Sequence, residues 1–234
     1  MVDLVWPDDL RPFRVSFYLQ PHTGGSESPL TRTRKTYGLS APRWICRMTF
    51  RGGYDGFDGY AAYGPRLDAF IAQMKGGQNR VAIWDFRRPY PVALRRYYSR
   101  FAGQTYTFRN GETFQLGERF FIPEEAEPTN LSAPAGATEM TFVGFDPGER
   151  VFNWGDYIGG DGRTHIVLGI AYADVDGKAT VSFEPPLATD VPAGTAKTMQ
   201  ATSWFKVTSD DAGQNESEVG QAVTYTLDFV EDLT

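Results

Sequence analysis

Acid–base, nucleophilic or metal chemistry needs side chains of suitable type brought together, and this chain offers few of them. It has two histidines, His22 and His165, and one cysteine, Cys46. His22 stands in the Gly- and Ser-rich run Pro21–Pro29, and His165 opens an apolar segment. Neither has a second histidine at ligand spacing, so each reads as a satisfied surface or strand histidine. Cys46 lies between Ile45 and Arg47 and reads as a buried, inert thiol, with no second cysteine to pair with. Asp174-Val-Asp176-Gly177 is like the start of a calcium loop, but no third acidic position precedes the glycine and no helices flank it; it reads as a hairpin turn. Asp55, Asp58 and Asp68 could hold a cation, yet Gly- and Asp-rich loops are ordinary turns. No phosphate-cradling Gly-rich loop and no nucleophile-elbow pattern occurs. The expectation is an enzyme-free reading: no catalytic residue, no cofactor, no metal.

Binding is the chemistry the sequence does offer. Tyr54, Phe57, Tyr60 and Tyr63 occupy a Gly-rich stretch where a core is not obviously available. Such rings can anchor an interface, stack on sugars, or pack across the adjoining helix. Arg95 and Arg96, in the basic and aromatic segment after Pro91, complete the candidate interface as rim charges.

The elements that must position these residues are mostly strands. Phe13–Gln20 alternates, with Phe13, Val15, Phe17 and Leu19 on one face. Residues 1–12 read as an extended arm, Pro21–Pro29 as a loop, and Leu30–Ser40 as an edge strand or hairpin arm. Arg43–Phe50 is the next strand. The clear helix runs over 65–75: Leu67, Phe70, Ile71 and Met74 fall on one face, Pro65 opens it and Gly76-Gly77 ends it. Its apolar face should pack on strands 43–50 and 80–86. Pro91–Gly103 reads as a short helix or as irregular chain. Asn110-Gly111 would join 105–108 to 113–116 as a hairpin. Further strands are expected at 139–145, 165–172, 179–183, 197–208 and 223–229, with 210–219 an acidic, exposed hairpin tip or a partly disordered loop.

Composition bounds the rest. The chain has 234 residues, 25 of them Gly and 15 Pro, which suits many short strands joined by tight turns. No apolar run is long enough to span a membrane. The N-terminus lacks a basic region followed by an apolar stretch and reads as a mature chain made in the cytoplasm. Residues 1–130 carry 18 basic and 13 acidic side chains, whereas 131–234 carry 5 and 16. This split could mean nucleic-acid binding by the basic half. The scatter of basic residues among aromatics favours opposite charges on different faces that pair between copies. The composition shift at Pro123–Pro128 marks a linker. The expected organisation is a first β domain, 1–130 plus 197–234, interrupted by a small β domain of OB- or SH3-like barrel type, 131–196, whose two ends lie close together.

Two passages resemble the distal tail proteins of long-tailed bacteriophages. The first is Ser28-Pro29-Leu30-Thr31, Ala41-Pro-Arg-Trp44, the helix Arg66–Gly76, then Val81-Ala-Ile-Trp-Asp85. The second runs from Gly136-Ala137 through Gly155-Asp156, His165-Ile-Val and Asp176-Gly177 to Pro185-Pro186-Leu187. The resemblance implies a mostly β protein: a barrel- or sandwich-like domain with one short helix, interrupted by an inserted small β domain. It also implies a closed ring of six copies at the distal end of the tail tube. The ring's partners would be the chain itself, the tail tube protein and the tail tip or hub protein. DNA would pass through the channel without specific binding, and the location would be the virion tail tip. Pro91–Phe121 departs from that pattern. The alternative reading is a carbohydrate- or receptor-binding module of the tail tip; a third, less supported by the residues, is a tail-associated hydrolase.

Overall fold

The computed structural model describes residues 1–7, 9–51, 63–94, 128–212 and 224–233, and the backbone alone of 105–106 and 120–121. In chain order the strands are β1 (Asp3–Val5), β2 (Arg14–Glu27), β3 (Arg34–Arg51), β4 (Arg80–Ile83), β5 (Thr105–Tyr106), β6 (Phe120–Phe121), β7 (Thr129–Asn130) and β8 (Glu139–Val143). They continue with β9 (Arg150–Phe152), β10 (Tyr157–Gly159), β11 (Thr164–Val167), β12 (Ala171–Tyr172), β13 (Lys178–Glu184), β14 (Ser203–Val207) and β15 (Thr224–Glu231). The α-helix among the described residues is α1 (Tyr63–Met74). The protein is thus mostly β, with one short α-helix among the described residues. Two compact units divide the chain: Met1–Pro89 with Gly162–Thr164 and Thr202–Thr234, and Tyr90–Asp161 with His165–Ala201.

The first unit is built on a six-stranded sheet in the order β1-β4-β14-β15-β3-β2. β1 and β4 are parallel, and the remaining pairs are antiparallel. Alternation decides its faces. Trp44, Cys46, Met48 and Phe50 on β3, and Tyr225, Leu227 and Phe229 on β15, all point to the core. Arg43, Arg47 and Arg51 point to solvent. On α1 the core face is Leu67, Phe70 and Met74, with Ile71 half-buried. The helix begins two residues before Pro65, which sits in the first turn where a missing N–H costs nothing. It ends where Lys75, Gly76 and Gly77 take positive φ. Gly76 has φ +60°, a conformation that favours glycine, and a Cβ there would also stand 2.7 Å from Asp210 Oδ1.

Three expectations need correction in this unit. Residues 1–12 are not an arm outside the core: Trp6 and Leu10 are each 1% exposed. The Trp6 ring stacks on Phe50 at 5.6 Å and meets Phe70 edge-on at 5.1 Å, while its Nε1 donates to the Leu10 carbonyl at 2.7 Å. A large ring whose one polar atom is satisfied locally is core material, whatever the polarity of its neighbours. Pro21–Pro29 is not a loop, because β2 continues through it to Glu27 and pairs with Lys35–Ser40 of β3 as far as Glu27 opposite Arg34. Backbone pairing along a two-stranded ribbon needs no apolar anchor. The strand expected over 197–208 is confined to Ser203–Val207.

The second unit holds a five-stranded sheet, β10-β11-β13-β8-β7, and the pairs β9–β12 and β5–β6. Its core gathers Met140, Phe142, Phe152, Ile158, Val181 and Phe183. β8 and β13 pair from Glu139 opposite Ser182 to Val143 opposite Lys178. At the turn before β13, Gly177 has φ +71°, and a Cβ there would lie 2.4 Å from the Phe145 carbonyl. The strand expected over 165–172 is interrupted: β11 stops at Val167, and β12 resumes at Ala171 to pair with β9. Thr105 pairs with Phe121 and Tyr106 with Phe120, so 105–106 meets a later segment than 113–116. Asn110-Gly111 and 113–116 lie outside the described residues.

Asn130 ties the two ends of 131–196 together. Its backbone carbonyl accepts from Gly194 N at 3.0 Å, and its Oδ1 accepts from Ala196 N at 2.9 Å. Its Nδ2 donates to the carbonyls of Leu131 and Pro192. The 123–127 part of the linker lies outside the described residues.

Candidate functional site

Of the six residues chosen from sequence, only Tyr63 is described; it opens α1 and is half-buried. Tyr54, Phe57, Tyr60, Arg95 and Arg96 lie outside the described residues, as do Asp55 and Asp58. Asp68 is exposed on α1. His22 sits on the exposed ribbon, its Nδ1 2.7 Å from Ser40 Oγ. In the Asp174–Gly177 turn, Asp174 Oδ1 accepts from the backbone N–H groups of Asp176 and Lys178, each at 2.9 Å. That carboxylate serves the turn itself. Among the described residues, no three His, Cys, Asp or Glu side chains come together as a metal site. None of the described helices is long and apolar enough to cross a membrane.

Three buried polar groups were not legible as pairs in the sequence. In the second unit, His165 and Asp161 have side chains with no exposure. His165 Nε2 lies 2.8 Å from Asp161 Oδ1 and Nδ1 lies 2.6 Å from the Pro185 carbonyl, while Asp161 Oδ2 accepts from Ala188 N at 2.7 Å. Burial pushes the Asp161 carboxyl up, but the His165 and Ala188 hydrogen bonds outweigh it and leave the group below the usual carboxylate range. Sealed from solvent, the pair clamps the Gly159–Gly162 turn to the loop after β13.

In the first unit, Arg163 and Glu231 form a buried two-pronged pair, 2.9 Å at both contacts. Glu231 Oε2 also accepts from Trp44 N at 2.9 Å, and Trp44 Nε1 donates to the Thr164 carbonyl at 2.6 Å. Asp85, 1% exposed, takes both prongs of Arg87 and the Arg87 N–H. Burial raises its carboxyl, and Arg87 more than offsets this, so it too stays below the usual range. Cys46 is fully buried, and burial drives its thiol far up, which keeps it protonated and inert as expected from sequence.

Two surfaces remain as places where the protein can meet something else. The first is the ribbon from Gln20 to Ala41. Only Gly24 and Ser28 in it are half-buried, and every other residue is exposed. Tyr37 lies over its cross-strand partner Gly24, which stiffens the ribbon locally. At the tip, Ser28 N donates to the Thr33 carbonyl and Arg32 N to the Ser28 carbonyl, so the turn is closed and presents Leu30, 93% exposed. Arg32, Arg34 and Lys35 face only Glu27 in charge along it. The second surface is in the second unit, where Trp154 stands 70% exposed and Leu168, Ile170 and Tyr172 are exposed as well. In the sequence Trp154 stands inside an Asn-Trp-Gly-Asp turn, a polar setting that does not by itself separate it from the buried Trp6. The chain matches no protein-family model and no curated protein.

Proposed function

We propose that this chain is a structural subunit of a long-tailed bacteriophage, forming a closed ring, in the resemblance six copies, at the distal end of the tail tube. It would join the tube to the tip or hub and act by shape and interface complementarity. The observation that carries this reading is the exposed β2–β3 ribbon. A two-stranded hairpin is marginal in water, and fixing each residue costs about 1–2 kcal/mol of conformational entropy. A ribbon whose residues bury almost nothing in their own subunit gains its burial from another chain. A closed ring uses two different faces of each subunit, and the split between a basic first part and an acidic second part suits such heterologous contacts. An acidic channel wall would let DNA pass without holding it, since affinity comes from neutralising phosphates.

Sedimentation of the full chain over a range of concentrations, with images of any assembly, tests the reading. A closed ring is the expected result. A monomer at every concentration, found as isolated copies in particles, would overturn it.

A further inference from the structure

The two strands that carry the ribbon run on into the six-stranded sheet, and register sets their outer side chains on one face. On β3, exposed Arg43, half-buried Ile45 and exposed Arg47 alternate outward, about 7 Å apart at ~3.3 Å per residue. Tyr18 of β2 and Val230 of β15 stand opposite Ile45, one on each side. An open hollow of about 460 Å³ lies there, with Ile45 and Tyr18 as its apolar part and Ser16, Arg47, Thr208 and Asp228 around them. Asp228 takes two prongs of Arg47. Arg14, Arg43 and Arg51 are exposed and have no carboxylate paired to them among the described residues. Residues 13–51 carry seven basic side chains and one acidic, so in a chain of net charge −6 the remainder carries −12. A second copy of the chain therefore supplies the opposite charge that this hairpin lacks.

The second unit presents a complementary shape. Val175 is 88% exposed, and its neighbours Asp174 and Asp176 are exposed too. The turn that holds them out is fixed. Besides the Asp174 cap, Phe145 N donates to the Gly177 carbonyl at 3.3 Å. Gly148 N donates to the Ala173 carbonyl at 2.9 Å, and Ala173 N to the Glu149 carbonyl at 2.8 Å. These bonds lace the 174–177 turn to the 145–149 turn, which brings Asp146 and Glu149 to the same end. Lys178 Nζ, 3.7 Å from Asp176 Oδ2, offsets part of that charge. Val175 is thus an apolar knob between two carboxylates, and the hollow has Ile45 between two guanidinium side chains.

We propose that the Asp174–Asp176 turn of one copy seats in the Ile45 hollow of the next. Val175 meets Ile45 and Tyr18, and the two aspartates face Arg43 and Arg14. The proposal rests on the closed-ring reading and names a contact for it. Hollow and turn are different patches of one chain, so the contact is heterologous and can close a ring. One turn covers less than the ~800 Å² per partner of a stable interface. The contact therefore selects and orients the neighbour, and the ribbon adds area. Charge has that role in interfaces generally, since opposite potentials fix register and like charges face to face are costly.

The test is charge reversal of the full chain, read by sedimentation. One variant carries Arg14→Glu with Arg43→Glu. The other carries Asp174→Asn with Asp176→Arg, in which the asparagine oxygen keeps the turn's cap. Each should melt like the wild type and stay monomeric at concentrations where the wild type forms a ring. An equal mixture of the two should assemble again, because every reversed face then meets its opposite. Val175→Ser should weaken assembly about tenfold, the worth of one small apolar side chain buried. If the wild type assembles and the reversed chains do so equally well, the contact is overturned and the ring stands. The same holds if both fold but their mixture stays monomeric. A wild type that never assembles overturns the ring reading and this contact with it. Should a reversed chain melt early, Val175→Ser decides, and assembly as tight as the wild type's sinks the contact. If Arg14→Glu with Arg43→Glu leaves assembly intact and instead abolishes binding of a fluorescent DNA duplex, the face belongs to nucleic acid and the proposal falls.

Discussion

His165 Nε2 sits 2.8 Å from Asp161 Oδ1, with neither side chain reaching solvent. Both ring nitrogens meet acceptors, so the imidazole is a bridge between the Asp161 turn and Pro185. Asp161→Ala would strip His165 and the Ala188 N–H of a partner in one step. Breaking a buried pair from one side costs about 3–5 kcal/mol. Urea unfolding, followed by a probe in the second unit, should show a loss of that size.

The same pair gives a direction for pH. The Asp161 carboxyl is lower folded than unfolded, where its ordinary value is 3.8. Such a group contributes stability that is complete above the unfolded value and is lost as pH falls through the folded one. Asp85 is shifted the same way in the first unit. The wild-type urea midpoint should therefore fall as pH drops below about 4. Asp161→Asn should be weaker at neutral pH and flatter on acidification, with Asp85 supplying what dependence remains. A variant as steep as the wild type would remove Asp161 from that account.

Arg163 and Glu231 make a sharper case, since one carboxylate serves both a guanidinium and the Trp44 backbone N–H. Glu231→Gln leaves a buried charge uncompensated and should cost about 3–5 kcal/mol. The double change Arg163→Met with Glu231→Leu should cost less than the single one, because no charge is left stranded. Equilibrium unfolding of the three chains measures this. Equal losses would mean the charge pairing is not the governing term.

For the helix, Phe70 is buried and meets Trp6 edge-on at 5.1 Å. Phe70→Ala should cost roughly 3–5 kcal/mol, the sum of lost burial and the cavity left behind. Trp6→Ala should cost a similar amount, which an arm outside the core would not. Denaturant midpoints of both variants decide it.

The strand-rich fold and the helix were legible because period-two and period-3.6 patterns report burial directly. β3 reads out its two faces residue by residue, from Trp44 to Arg51. Trp6 was misread because its segment is polar, and nothing local says that a single ring in it reaches across to Phe50. The ribbon was half-seen: Leu30–Ser40 suggests an arm, but its partner strand hides in a Gly- and Ser-rich run whose pairing is all backbone. The buried pairs were out of reach for a different reason. Arg163 and Glu231 are 68 positions apart, and no spacing rule links them. His165 and Asp161 are only four apart, but that spacing joins side chains on a helix, and here the chain turns sharply into a strand.

The exposed ribbon gives the most discriminating experiment on assembly. Replacing Thr23–Leu39 by Asn-Gly keeps the His22–Ser40 rung and closes it with a two-residue hairpin turn. Nothing in the removed segment is core, so the subunit should keep its melting behaviour. If the ribbon holds copies together, this chain should sediment as a monomer where the wild type forms a ring. Charge and apolar contact can then be separated within the ribbon. Exposed charges are screened over about 8–10 Å at moderate salt, and single surface pairs contribute about 0–1 kcal/mol. Neutralising Arg32, Arg34 and Lys35 together should slow assembly at low salt and leave a formed ring nearly as tight. Leu30→Ser with Tyr37→Ser removes apolar surface and should loosen the formed ring at any salt. A shortened chain that assembles like the wild type would show that the subunits meet through other surfaces.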